Sequence, residues 1–408
     1  MLEGILNFIT NYLPGILIGL LILTFLVVAH EFGHFILARR NGVKVNEFGI
    51  GFPPRAIAWQ KGKDGKWHKL PKSKWPKPNE TTKSLIFSLN WLPIGGFCAM
   101  DGESDADTRK GTFGAASFKN KTKILFGGVM MNWIVAFIIF TILAFIGMPQ
   151  FMDGQFNLEG ETRSAAIITS IIQDSPAEKV GLATNDIVTK INNEEVHSAE
   201  DITTINNKYP GEKVRYEIIR NGETIILEPT LNGEGADYKV GLTALTNIEP
   251  EIIRSTWSAP IVGAVTTIQL TGETFKGLGT MIGNLFYGAF SQLNFDGSVR
   301  EEGRKAVGTI GDQVTGPVGI IGIIFPMFAN SGFAYTALLA AVISVSLACM
   351  NVLPIPALDG GRWLLIFIYK LRKKKLTKET EEKIVSRAFI VLIILMLVIT
   401  ALDITKFF

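Results

Sequence analysis

The chain has 408 residues, 47% of them hydrophobic, and a formal net charge of +3. A mean hydropathy of +0.29 is apolar for a soluble protein, and the length exceeds one ordinary domain. Its two cysteines, Cys98 and Cys349, form no CxxC pair, which argues against a disulfide framework and against a cysteine-based metal site.

The apolar residues gather in runs at Leu13–Ala38, Ile124–Met148 and Gly332–Leu358, with a shorter run at Ala388–Leu402. A bilayer span needs about 20 mainly apolar residues. Transmembrane helices are therefore predicted within 1–38, 124–148, 332–361 and 388–404. The first run is too long for a cleavable signal peptide and no basic segment precedes it. Residues 39–123 hold 17 Lys/Arg against 7 Asp/Glu, 150–333 hold 13 against 23, and 361–387 hold 9 against 3. Basic loops stay in the cytoplasm, so 39–123 and 362–387 are expected inside, and the termini and the long acidic segment outside. Attraction to anionic lipid headgroups would put the basic runs on the same face. This charge pattern is read as membrane topology, and no nucleic-acid partner is expected.

In chain order, the first span carries His30, Glu31, Phe32, Gly33 and His34, an HExxH pattern. Histidines at i and i+4 share one helix face and can share one metal, and the intervening glutamate can serve as general base toward a water molecule. HExxH recurs by chance in soluble helices; inside an apolar helix ionisable groups are costly and mark function. The plain alternative is a polar cluster that joins helices or carries protons. Residues 84–103 are apolar and strand-like, with Gly95-Gly96 as a turn or bulge, and strand-forming backbone at membrane depth must be paired or buried. The run at 124–148 includes Gly128 and Asn132.

Residues 163–245 alternate as short strands, with helices expected near Ala199–Asn207 and after Ser175. Asp174, Ser175, Pro176, Gly181 and Leu182, followed by Asn185, Asp186, Ile187, Ile191 and Asn192, resemble a PDZ domain. Asn185 stands where such domains usually have glycine, and asparagine tolerates the left-handed backbone needed there. Within 250–331, segments 255–272, 277–293 and 313–331 are nearly uncharged and read as interfacial helices. The third long run ends in Asn351, Pro354, Pro356, Leu358, Asp359, Gly360 and Gly361. The prolines break the helix and the glycines permit a sharp turn, so a carboxylate is presented at membrane depth. A catalytic zinc site wants three protein ligands and an open fourth position; Glu31 and Asp359 are the acidic residues within the apolar runs.

With these two motifs the chain resembles the site-2 proteases, in particular the bacterial single-chain type that performs regulated intramembrane proteolysis. The resemblance covers nearly the whole chain. Glu47–Phe52 and Leu92–Phe97 look like the family's membrane-reentrant β segment, and Gly128 with Asn132 looks like its Gly-Pro-x-x-Asn motif, with Val129 in place of proline. It implies a multi-pass α-helical membrane protein of about four transmembrane helices, with a membrane-reentrant β element and one extracytoplasmic PDZ domain, in the bacterial cytoplasmic membrane. It further implies Zn2+ held by His30, His34 and Asp359, Glu31 as the catalytic base, and a substrate-receiving edge strand containing Gly95 and Gly96. Asn351, Asn132 and Pro354 are expected at the substrate; for both asparagines, hydrogen bonding between helices is the structural alternative. The implied partners are single-span membrane proteins, such as anti-sigma factors and remnant signal peptides, within the lipid bilayer; the oligomeric state is left open. A metal-ion transporter would need polar ligands through several spans, and the second and fourth offer almost none. A PDZ scaffold with a dead metal site would have no need of Glu31.

Overall fold

In a computed structural model of the chain, the described residues are 10, 12–62, 64–76, 82, 84–158, 162–163, 166–196, 199–220, 223–247, 252–294, 296–313 and 316–407. They divide into two compact units, residues 1–139 with 267–408, and residues 140–266. The main elements are helix α1 (Leu13–Arg40), strands β1 (Val45–Lys61), β2 (Trp67–Lys69) and β3 (Ile86–Met100), and helices α2 (Phe118–Ile146), α3 (Ala259–Ser291), α4 (Gly297–Gln313), α5 (Phe333–Val352), α6 (Asp359–Leu371) and α7 (Lys378–Phe407). Among the described residues four helices are long and apolar enough to cross a membrane: α1, α2, α5 and α7 over Lys378–Ala401.

Local chemistry sets the ends of these helices. Pro14 stands in the first turn of α1, Arg39 and Arg40 complement the dipole of its last turn, and the Asn41 side chain donates to the Leu37 carbonyl at 2.7 Å. Gly42 then turns the chain at φ +77°. α5 stops at Val352, where Leu353 is extended ahead of Pro354. The chain becomes helical again at once: α6 covers much of what the sequence presents as a basic loop, burying Leu365 and Ile366 on its inner face. Similarly, α3 is one continuous helix across the two apolar segments 255–272 and 277–293. A glycine inside an otherwise helical run lowers helix stability without ending it.

In the first unit β1 and β3 fold over each other. The sheet order is β2-β1-β3, which leaves β3 at an edge. Val45 pairs with Met100 and Ile50 with Gly96, while Arg55 pairs with Asn90 and Gln60 with Ile86; Glu47–Ile50 also lies beside Ile86–Leu89. One long strand thus contacts two stretches of its partner, bending between Phe52 and Arg55. Phe35 of α1 fastens this sheet to the helix, with its ring centroid 5.4 Å from Phe48 and 6.0 Å from Phe87. The Thr24 hydroxyl adds a bond to the Pro93 carbonyl at 2.6 Å. The sheet's apolar tip is open to its surroundings, with Trp91 70% exposed. A core of Phe35, Val43, Val45, Phe48, Phe113, Ile124 and Leu365 lies below. Elsewhere in this unit, Asp403 of α7 is buried and accepts backbone N–H groups from Gly316 and Gly319, each at 3.0 Å.

The second unit holds a six-stranded sheet in the order 223–227, 216–220, 187–191, 166–171, 242–247, with 194–195 paired to 187–191. Its core includes Ile168, Val188, Ile191, Tyr216 and Ile218, all fully buried. Ser175 caps the short helix Pro176–Lys179, accepting from the Glu178 N–H, while the Glu178 side chain reaches back to accept from the N–H of Asp174, one residue before the cap. Asn185 adopts φ +71°, the left-handed conformation anticipated for it. Asp186 is buried and bonded twice by Arg220, at 2.6 and 2.7 Å. The Asn221-Gly222 turn lies outside the described residues, although Glu223 pairs with Arg220 across it.

Candidate metal centre

The site grows out of a close crossing of α1 and α2. A Cβ on Gly33 would stand 2.1 Å from the Gly127 carbonyl oxygen, so the two backbones touch with no side chain between them. The residues one turn either side of this crossing then face the same space. His30 and His34 project toward it, and position 128 is glycine: a Cβ there would lie 2.5 Å from His30 Nε2 and 2.6 Å from His34 Nε2. His34 Nδ1 donates to the Ile124 carbonyl at 2.8 Å. That bond fixes the tautomer and leaves Nε2 bare, the arrangement expected of a metal-ligating imidazole.

Asp359 arrives from the opposite direction as the first residue of α6. The prolines keep 353–358 non-helical, and that segment folds back on the start of α6. Beta-carbons on Gly360 and Gly361 would meet the Val352 and Ile355 carbonyl oxygens at 2.1 and 1.9 Å. Neither glycine has a positive φ. Their role is close packing and not the sharp turn read from the sequence.

The result is three candidate ligand atoms in mutual contact. His30 Nε2 and Asp359 Oδ2 are 3.1 Å apart, His34 Nε2 and the same oxygen 3.3 Å, and the two Nε2 atoms 3.2 Å. Zinc bonds of about 2.0–2.1 Å in tetrahedral geometry place neighbouring donors about 3.3 Å apart. The donor set and its spacing therefore suit a zinc ion with one position left over. Among the described residues this is the group of histidine and acidic side chains able to hold a metal.

Glu31 is half-buried beside the two histidines, with the backbone N–H of Cys98 near its carboxylate. Edge strand β3 thus runs alongside the acid. A cavity of about 1180 Å³ in the same unit reaches Asp359 and is lined by Phe97, Met100, Leu358 and Arg362, giving water a route to the cluster.

The remaining candidates are placed differently. Gly96 is buried against α1, where a Cβ would lie 3.0 Å from a Val28 methyl, and Gly95 turns the strand at φ +78° against the Phe52 ring. The Asn351 amide donates to Leu347 of its own helix at 2.9 Å, and Pro354 is exposed in the loop. Asn132 is fully buried 3.3 Å from His30 Nδ1, with no exposed surface to offer a substrate. Sequence reasoning passed over Gly127, the Ile124 carbonyl and the Cys98 N–H. The visible signal was the pair Gly127-Gly128 inside an otherwise bulky apolar run.

A helix pair crossing at glycines, with two histidines and an aspartate converging beside a base, is the architecture of a metallopeptidase built into apolar helices. The sequence matches peptidase family M50 over residues 18–69 and 79–396. The chain belongs to this family; it is a metalloendopeptidase of the site-2 protease type, and its cofactor is zinc. It is similar to a protein of Clostridium acetobutylicum, 29% identical over 96% of this chain and 97% of that one. It is also similar to the zinc metalloprotease RasP of Shouchella clausii, 25% identical over 95% of this chain and 98% of the relative. The regulator of sigma-W protease RasP of Bacillus subtilis is 23% identical over 94% and 96%.

Proposed function

We propose that the protein is a zinc-dependent endopeptidase that cuts the transmembrane segment of single-span membrane proteins inside the bilayer, as a step of regulated intramembrane proteolysis. The observation that carries this reading is the convergence of His30 and His34, on the apolar, membrane-length helix α1, with Asp359 at the start of α6, and with Glu31 beside them. In this reading His30, His34 and Asp359 hold the zinc. When bound, the ion polarises the scissile carbonyl and makes water more acidic. Glu31 takes the proton from the attacking water and returns it to the leaving amine.

A substrate helix hides its carbonyls in its own hydrogen bonds, and opening it in lipid leaves polar groups unpaired at several kcal/mol each. β3 is an edge strand, so it can pair with an extended segment and offset that cost. Gly95 and Gly96 keep this stretch free of side chains. Asn351 contributes an amide once it leaves Leu347, and Pro354 shapes the adjoining wall.

The six-stranded unit is read as a PDZ domain, supported by its capped Ser175 helix and the Asn185-Asp186 turn. The charge distribution supports a topology with this unit and both termini outside the cytoplasmic membrane, and 39–123 and 362–387 inside. Substrates of the anti-sigma-factor kind agree with the name of the Bacillus subtilis relative, a regulator of sigma-W protease; remnant signal peptides are the other substrates proposed. The purified protein is to be incubated with a panel of single-span substrates, with and without a zinc chelator. Cleavage within the apolar segment that the chelator abolishes and added zinc restores is expected. Cuts confined to soluble loops, or indifferent to chelation, overturn the reading.

A further inference from the structure

Asn132 is fully buried on α2, and its backbone carbonyl accepts from the Ser344 hydroxyl of α5 at 2.8 Å, which fixes the height of its side chain. The amide nitrogen stands 3.3 Å from His30 Nδ1, and the amide oxygen is buried without a hydrogen-bond partner. His30 turns its other nitrogen, Nε2, toward His34 and Asp359. A neutral imidazole that ligates through Nε2 carries its proton on Nδ1, and that N–H must donate. An amide NH2 opposite it would set donor against donor. Half a turn of the amide exchanges two atoms of nearly equal size and places the oxygen there instead. The orphaned acceptor gains a partner, and an amide N–H takes up the position it leaves.

We infer that Asn132 is a positioning residue for zinc: its amide oxygen accepts from His30 Nδ1, holds that ring in one tautomer and plane, and keeps Nε2 bare. It does for His30 what the Ile124 carbonyl does for His34. The difference is that a side chain, unlike a carbonyl, can be removed by substitution. This rests on the metal-site reading above and gives Asn132 a task other than substrate contact.

The test uses the full-length protein in detergent with His68→Gln and His197→Gln, so that His30 and His34 are the remaining histidines. Nitrogen-15 NMR of labelled histidine in the zinc-loaded parent reads which ring nitrogen carries the proton, and competition with a chelator reads zinc affinity. Both rings are expected to be protonated at Nδ1. Asn132→Leu, of similar size but with no acceptor, is expected to weaken zinc binding about 10–100-fold. Asn132→Asp offers oxygen on both sides and is expected to keep affinity close to the parent's. A His30 proton on Nε2, an Asn132→Leu protein with parental affinity, or an Asn132→Asp protein that loses zinc as fully as Asn132→Leu overturns the inference. The tautomer is read on the parent, so it decides even where a variant fails to fold. A parent that takes up no zinc overturns the metal site itself, a different result from zinc bound with the wrong His30 tautomer.

Discussion

Gly128 of α2 lies so close to His30 of α1 that a single added methyl would stand 2.5 Å from the Nε2 nitrogen. No carbon tolerates that separation, so the imidazoles or the helices must shift. Gly128→Ala is therefore expected to lower zinc affinity by at least about tenfold, in line with other disturbances of ligand orientation. Gly272→Ala is the control, because a Cβ there meets nothing within 4 Å. Zinc titration of the two variants against the parent checks this. Equal affinity in all three would mean that the glycine is not needed for the ligand space.

In the second unit, Asp186 is buried and its charge is met by Arg220 and the Ala183 N–H. Arg220→Ala leaves the carboxylate with one protein donor. Hydrogen bonds to charged groups contribute roughly 1.5–3 kcal/mol, and partial exposure of Arg220 puts the expected loss toward the lower end. Faster hydrogen exchange across 166–247 in the intact protein, with α1 and α2 unchanged, is the expected outcome. Unaltered exchange would show that water replaces the arginine.

Much of this was legible because the bilayer imposes a length. The uncharged runs around Leu13 and Ile124 announced α1 and α2, and HExxH inside such a run has few structural explanations. Asp359 was legible for a related reason: a carboxylate after two prolines has little purpose in an apolar run. What stayed hidden depends on contacts between distant residues. Nothing in the local pattern says that Gly33 meets Gly127, that Ile124 offers its carbonyl to His34, or that Asn132 meets His30 across 102 positions. The doubled pairing of β1 with β3 was hidden too, because a period of two gives faces and not partners. Gly360 and Gly361 show the limit from the other side: the sequence reads them as permitting a sharp turn, whereas they sit in close packing against the Val352 and Ile355 carbonyls.

The charge asymmetry predicts which loops face the cytoplasm. Cysteine substitutions at Lys69, Lys374 and Asn193 are to be labelled in intact cells with a membrane-impermeant thiol reagent. Lys69→Cys and Lys374→Cys are expected to label after membrane disruption alone, and Asn193→Cys without it. Two buried native cysteines, Cys98 and Cys349, keep the background low. Labelling of Lys374→Cys from outside would reverse the proposed orientation of α5 and α7.

The site residues should separate by job. His34→Ala or Asp359→Ala removes one of the three proposed ligands, so zinc content and activity should fall together. Glu31→Gln keeps size and polarity, but it cannot take a proton from water. It should stay zinc-loaded and bind substrate while turnover falls; general-base contributions alone are typically about 10²–10⁴-fold. Metal analysis of purified variants beside a cleavage assay distinguishes these outcomes. Full zinc occupancy in Asp359→Ala would place the third ligand elsewhere, which the 3.1 and 3.3 Å approaches of its carboxylate to the two imidazoles argue against. Normal cleavage by Glu31→Gln would leave the acid with no chemical task and would remove the proposed mechanism.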